Sequence, residues 1–310
     1  MASAIEVRGL VKRYGDLAAV AGIGFDVPAG TVFAFLGPNG AGKTTTVEIL
    51  EGLRRRTDGS VTVLGMDPWT DGAALHRRIG VIPQDFHFFD KITPKEAIEY
   101  YRVLFGTDVS PGDLLARVEL VDKTNARFDT LSGGQKQKLG LALSLANNPE
   151  VCFLDEPTTG LDPHARRAIW SVIRSLRKEG RTVFLTTHYL EEAQLLADQV
   201  AIIHRGEIIA SGTPDEIIRA HGRPARLRVK APPELVGILQ KELGAQSRFQ
   251  DGHVEVELRD KRDALRVLST IERSGVAWDS FTTQDDTLED VFVRLVGQMD
   301  DGALKSEAPP

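Results

Sequence analysis

"TVFAFLGPNGAGKTTTVEIL", Thr31 to Leu50, passes from an apolar strand-like run through a glycine-rich turn into a helical pattern. The turn reads Gly37-x-x-x-x-Gly42-Lys43-Thr44. With a strand before it and a helix after it, such a turn curls so that successive backbone N–H groups converge on a phosphate chain. Gly37, Pro38, Asn39, Gly40, Ala41, Gly42, Lys43, Thr44 and Thr45 are therefore candidate nucleotide-binding residues. Lys43 supplies a cation for the β- and γ-phosphates, and the Thr44 hydroxyl is a ligand for Mg2+.

Working outward, the strand pattern recurs in "SVTVLG" (Ser60 to Gly65), "VCFLD" (Val151 to Asp155), "TVFLTTH" (Thr182 to His188) and "QVAIIHRG" (Gln199 to Gly206). Near-continuous apolarity predicts strands covered on both faces. Helical patterns separate several of them, as in "HARRAIWSVIRSLRKEG" (His164 to Gly180), which a glycine ends. The alternation predicts an α/β fold with a mostly parallel sheet. Between Pro83 and Asn148 the pattern turns helical. In "TPKEAIEYYRVLFG" Thr93 is an N-cap, Pro94 the first helical residue and Glu96 the third, completing a capping box.

After "HGRPA" (His221 to Ala225) the texture changes to a small α+β unit. "RLRVK", "HVEVEL" and "VAWDSFTT" read as strands; "PPELVGILQKELG", "KRDALRVLSTIERSG" and "TLEDVFVRLVG" read as helices. The expected organisation is a nucleotide-binding domain over 1–222 with a helical subdomain at about 85–148, an accessory domain over 223–299 and a flexible tail at 300–310.

The chain has 310 residues, 42% of them hydrophobic, with 38 basic and 44 acidic residues. That size supports more than one core. The net charge of −6 comes without a basic stripe, which argues against nucleic acid as partner. No apolar run approaches the roughly 18–20 residues that cross a bilayer, and "MASAIEVRGLVKRYG" lacks the apolar centre of a secretion signal. A cytoplasmic protein is expected. The single cysteine, Cys152, lies in an apolar run and reads as a small buried hydrophobe.

"VCFLDEPTTGLDP" ends an apolar strand with two acids. Asp155 is the natural outer partner for Mg2+, and Glu156 is placed to polarise an attacking water. Consecutive strand residues face opposite ways, so the two carboxylates need not share one task, and spacing alone does not assign their roles. "LSGGQ" (Leu131 to Gln135) opens a second helix with bare N–H groups suited to an anion. His188 ends "FLTTH", Gln84 follows a β-like run and Tyr14 sits in "LVKRYG"; singly, none points to chemistry.

As an ordered set, Tyr14, "GPNGAGKT", Gln84, "LSGGQ", "FLDEP", "GLD" and His188 resemble the ATPase subunits of ABC transporters over residues 4 to 220. The resemblance implies a P-loop NTPase core with an inserted helical subdomain, binding ATP and Mg2+. It makes Tyr14 the aromatic that stacks on adenine, and Gln84 the sensor of Mg2+ and γ-phosphate that contacts the membrane subunit. Glu156, His188 and Gln84 become catalytic, and Thr44, Gln84 and Asp155 the Mg2+ set. Ser132, Gly133, Gly134 and Gln135 resemble the signature that caps the γ-phosphate held by another subunit. The implied assembly is an ATP-dependent head-to-tail homodimer with Asp162 at the seam, peripheral on the inner face of the cell membrane through permease subunits.

The order "ARLRVK…VEVELRD…TTQDDTLEDVFVRLVG" is similar to the extension of daunorubicin-type and multidrug export ATPases. Export of a drug-like or hydrophobic substrate is therefore expected. A soluble ABC ATPase acting on ribosomes or DNA is the alternative, but the chain has neither a second cassette nor a long coiled-coil insertion. A nucleotide kinase or GTPase leaves "LSGGQ" and His188 unexplained. Lys138 and Leu143 stand where many relatives carry arginines. Phe86, Phe88 and Phe89 either pack the helical subdomain or line a groove for a short helix of the membrane subunit.

Overall fold

The computed structural model describes residues 2–84, 86–258 and 261–306. Asp85, where the helical insert is expected to begin, and residues 307–310 of the expected tail lie outside the described residues. The chain starts with β1 (Ser3–Tyr14), β2 (Leu17–Pro28), β3 (Val32–Leu36) and helix α1 (Lys43–Leu50). Strand β4 (Asp58–Val63), the single turn α2 (Gly72–Leu75) and β5 (Ile79–Ile82) follow. Helices α3 (Pro94–Phe105), α4 (Pro111–Arg117) and α5 (Gly133–Ser144) come next. The chain then returns through β6 (Val151–Asp155), α6 (Pro163–Lys178), β7 (Thr182–Thr187), α7 (Leu190–Leu196), β8 (Gln199–His204), β9 (Glu207–Gly212) and α8 (Pro214–His221).

The central sheet has the order β5-β6-β7-β3-β8-β9. Its pairs are parallel except β8 with β9. Every residue of β3, β6 and β7 is buried, as unbroken apolar runs require. The alternating side chains feed two cores. Val32, Cys152, Leu154, Val183 and Leu185 pack on the helical side. Phe33, Phe35, Val151, Phe153 and Phe184 pack on the other side with α1 and the N-terminal strands. There Phe25, Phe33 and Phe184 stack with ring centroids 5.3 to 6.1 Å apart. Cys152 is buried, and that burial pushes its thiol up to about 12.

"SVTVLG" corrects one expectation: β4 joins β1 and β2 in a separate antiparallel sheet, order β2-β1-β4. Its residues are buried only in part, with Val61 and Val63 inward. A half-covered antiparallel strand and a buried parallel one share valines; pairing partners decide between them. The hairpin of β1 and β2, on which β4 is built, is a further strand pair that periodicity did not bring out.

Compact units divide between Asp215 and Glu216, inside α8 rather than after residue 222. The second unit contains β10 (Arg226–Val229), α9 (Glu234–Leu243), β11 (Ser247–Gln250), β12 (His253–Glu257), α10 (Lys261–Ser274), β13 (Phe281–Gln284) and α11 (Leu288–Ser306). Its antiparallel sheet, order β11-β12-β10-β13, covers its own core of Leu227, Val229, Leu235, Leu239, Val254 and Val256. Helix α11 continues to Ser306, through residues expected to be flexible tail.

Candidate functional site

Helix α1 starts directly at Lys43, so its unpaired N–H groups open onto the turn Gly37 to Gly42. Gly42 has φ +109, and a Cβ there would collide with the Ala19 carbonyl oxygen. Only glycine fits this position. Lys43 Nζ donates to the carbonyl oxygens of Gly37 and Pro38 at 2.8 and 3.1 Å, which curls the lysine over its own loop. Burial lowers the Lys43 pKa, while Glu156 and Asp155 oppose that shift. Thr44 is exposed beside it. A curled amide-lined loop with an inward lysine fits a phosphate chain.

Strand β6 carries Asp155 to the sheet edge, and Thr186 at the end of β7 ties both acids down. The Thr186 hydroxyl donates to Asp155 Oδ1 and accepts from the Glu156 N–H at 3.0 Å. Burial raises the Asp155 carboxyl above its usual range, partly offset by that hydroxyl. Glu156 leaves the strand with φ +47. It is this left-handed turn, rather than strand alternation, that separates the two carboxylates.

Glu156 Oε2 gathers three groups. Gln84 Nε2 and Thr159 Oγ1 donate to it at 3.1 Å each, and His188 Nδ1 lies 3.2 Å away. Glu156, Gln84 and His188, scattered over a hundred residues of sequence, thus meet at one oxygen. Thr159 and Thr186 belong to this cluster, and sequence reading passed over them. Their signal was local: a hydroxyl three residues after Glu156 and another two before His188.

Ser132 caps α5, with the Gln135 side chain accepting from Ser132 N at 2.9 Å and the Ser132 hydroxyl accepting from Gln135 N at 3.3 Å. A Cβ on Gly133 would meet nothing within 4 Å, whereas one on Gly134 would press on Ala165. The mouth of this helix is thus open. Among the described residues no hydrogen bond joins it to the Glu156 cluster. Asp162 caps α6, accepting from the His164 and Ala165 N–H groups at 2.9 Å each. Those bonds, led by Ala165, hold its carboxyl below the usual range. Tyr14 ends β1, a residue 42% exposed, its ring flanked by Lys12 Nζ at 4.9 Å and the Arg54 guanidinium at 5.5 Å. Among the described residues no cluster of three or more His, Cys, Asp or Glu forms a ready-made metal site. No helix among them is long and apolar enough to cross a membrane.

A family model described as ABC transporter matches residues 20–159. The chain is 36% identical over 316 residues to the daunorubicin/doxorubicin resistance ATP-binding protein DrrA of Streptomyces peucetius, covering 98% of this chain and 96% of that one. It is 36% identical over 312 residues to the Nod factor export ATP-binding protein I of Rhizobium sp. (strain N33), covering 95% and 97%. A solved structure of an ATP binding subunit of an ABC transporter superposes with TM-score 0.65 and 27% identity, over 71% of this chain and 94% of that one.

Proposed function

The chain belongs to the ABC transporter ATP-binding subunits of the daunorubicin-resistance exporter type, and from that premise we propose that it drives export of a drug-like or hydrophobic substrate through a separate permease. As a member of that family it is an ATPase coupled to transport. The export reading is supported by two relatives that match almost end to end, one a drug-resistance ATP-binding protein and one a Nod factor export ATP-binding protein.

The observation that carries the site assignment is the oxygen shared by Gln84, Thr159 and His188, to which the open helix mouth at Ser132 makes no hydrogen bond among the described residues. In this reading Glu156 is the general base and His188 contacts the γ-phosphate. Thr44, Gln84 and Asp155 would hold Mg2+, which neutralises charge between the β- and γ-phosphates. The signature at Ser132 to Gln135 completes the site of a second copy, with Asp162 at the seam and Tyr14 under the base. The triphosphate then supplies the negative charge that two electropositive helix ends share. The subunit acts at the inner face of the cell membrane, held there by the permease.

Glu156→Gln tests this directly. It is expected to bind ATP, lose turnover and sediment as a dimer at saturating ATP. A variant that stays monomeric while the parent hydrolyses ATP at its normal rate overturns the composite-site reading.

A further inference from the structure

Glu192, on α7, has no role in the nucleotide chemistry, yet its exposure is 0%. A carboxyl leaves water only where donors replace its hydration. Trp170 Nε1 donates to Oε1 at 2.7 Å, and Thr158 Oγ1 donates to Oε2 at 3.1 Å. Burial raises its pKa, and these two donors, with the Thr187 side chain and the Arg166 charge close by, oppose that shift. Both oxygens are therefore committed.

The sources of those donors are what matter. Thr158 lies two residues beyond Glu156, Thr187 directly precedes His188, and Trp170 lies on α6, which Asp162 caps. Thr187 Oγ1 also accepts from the Tyr189 N–H at 3.0 Å, so bonds secure the chain on both sides of His188. The Arg166 guanidinium stacks 4.1 Å from the Tyr189 ring, linking α6 to the same turn. One buried carboxylate joins three segments that sequence separates.

We propose that Glu192 is a positioning residue for hydrolysis, clamping the turn that carries Glu156 to the turn that carries His188. The clamp rests on the roles given above to those two residues. Glu156 sits in a left-handed conformation that a non-glycine residue keeps only when its surroundings impose it. Glu192 is part of those surroundings. It acts through Thr158 and through its own helix, which begins two residues after His188, and so positions the two groups rather than reacting itself. A displacement of about 1 Å between base and histidine is enough to cost on the order of 100-fold in rate.

The test uses the full chain with Glu192→Gln, Thr158→Val and Thr158→Ser, and with Glu156→Gln as reference. Steady-state kcat and KM for ATP are measured beside thermal melting. Glu192→Gln puts an amide donor against Trp170 or Thr158, and Thr158→Val deletes one donor without changing shape. Both are expected to lower kcat by about 10-fold or more while KM moves less than about 3-fold. Thr158→Ser restores the hydroxyl and is expected to recover most of the lost turnover.

Turnover within about twofold of the parent in both variants overturns the clamp, as does a loss confined to KM. So does a serine variant as impaired as the valine one. If Glu192→Gln does not fold, the Thr158 pair decides. Should Glu156→Gln keep parental turnover, the base assignment fails and takes the clamp with it. Should Glu156→Gln be inactive while the others turn over normally, the clamp alone fails.

Discussion

Glu51 shows how far a single residue departs from what its neighbours in sequence suggest. It closes α1 as an ordinary helix-end glutamate, yet it is 5% exposed. Burial pushes its carboxyl up to about 8, with Asp155 and Glu48 adding to the shift. The folded chain therefore holds a proton that the unfolded chain, at 4.5, releases. The stability this group contributes is full below pH 4.5 and is lost as pH rises towards 8, by at most ~1.4 kcal/mol per pH unit. Glu51→Gln stays neutral throughout. Its melting temperature is expected to exceed the parent's by a margin that widens over that window, and a flat or shrinking margin counts against the assignment. Glu156 departs differently: its position at a strand end was legible, but its left-handed backbone was not, because no residue preference encodes it.

Among the elements, α3 is the one whose sequence said most. Thr93, Pro94 and Glu96 form the expected capping box, and Gly106 ends the helix in the left-handed region. All of that is local chemistry. Helix α5 needed its neighbours. Lys138 reaches Glu119 Oε2 at 2.9 Å, and Leu143 is simply core at 3% exposure, so the two departures from arginine have separate answers. The three phenylalanines also divide. Phe86 and Phe88 pack against the helical core, and Phe86 meets Phe128 edge-on at 5.9 Å, whereas Phe89 is 70% exposed. Phe86→Ala is expected to cost about 2 kcal/mol or more of stability, and Phe89→Ala less than about 0.5 kcal/mol. Denaturant midpoints check this, and equal losses would count against the division. Of the three, Phe89 is the most exposed and is the one we propose for the permease contact.

At the scale of the whole molecule, the first compact unit carries two cores, one on each face of its sheet, and the second carries its own. A fragment spanning 216–310 is expected to unfold in one cooperative transition, since its sheet and helices bury their apolar faces on each other. A broad, non-cooperative melt followed by circular dichroism would contradict that independence. The split within α8 rather than after "HGRPA" has a physical reason: composition marks where a chain turns polar, whereas packing marks where contacts cease. Local stereochemistry, written in the residues themselves, settled the phosphate loop, the caps, the buried runs of β3, β6 and β7 and the order of motifs. Pairing across the chain settled the rest: the antiparallel sheet that claims β4, the meeting of Gln84, Thr159 and His188 on one oxygen, and the burial of Glu192. Those contacts join residues far apart in sequence, and periodicity within a short window cannot register a partner that lies outside it.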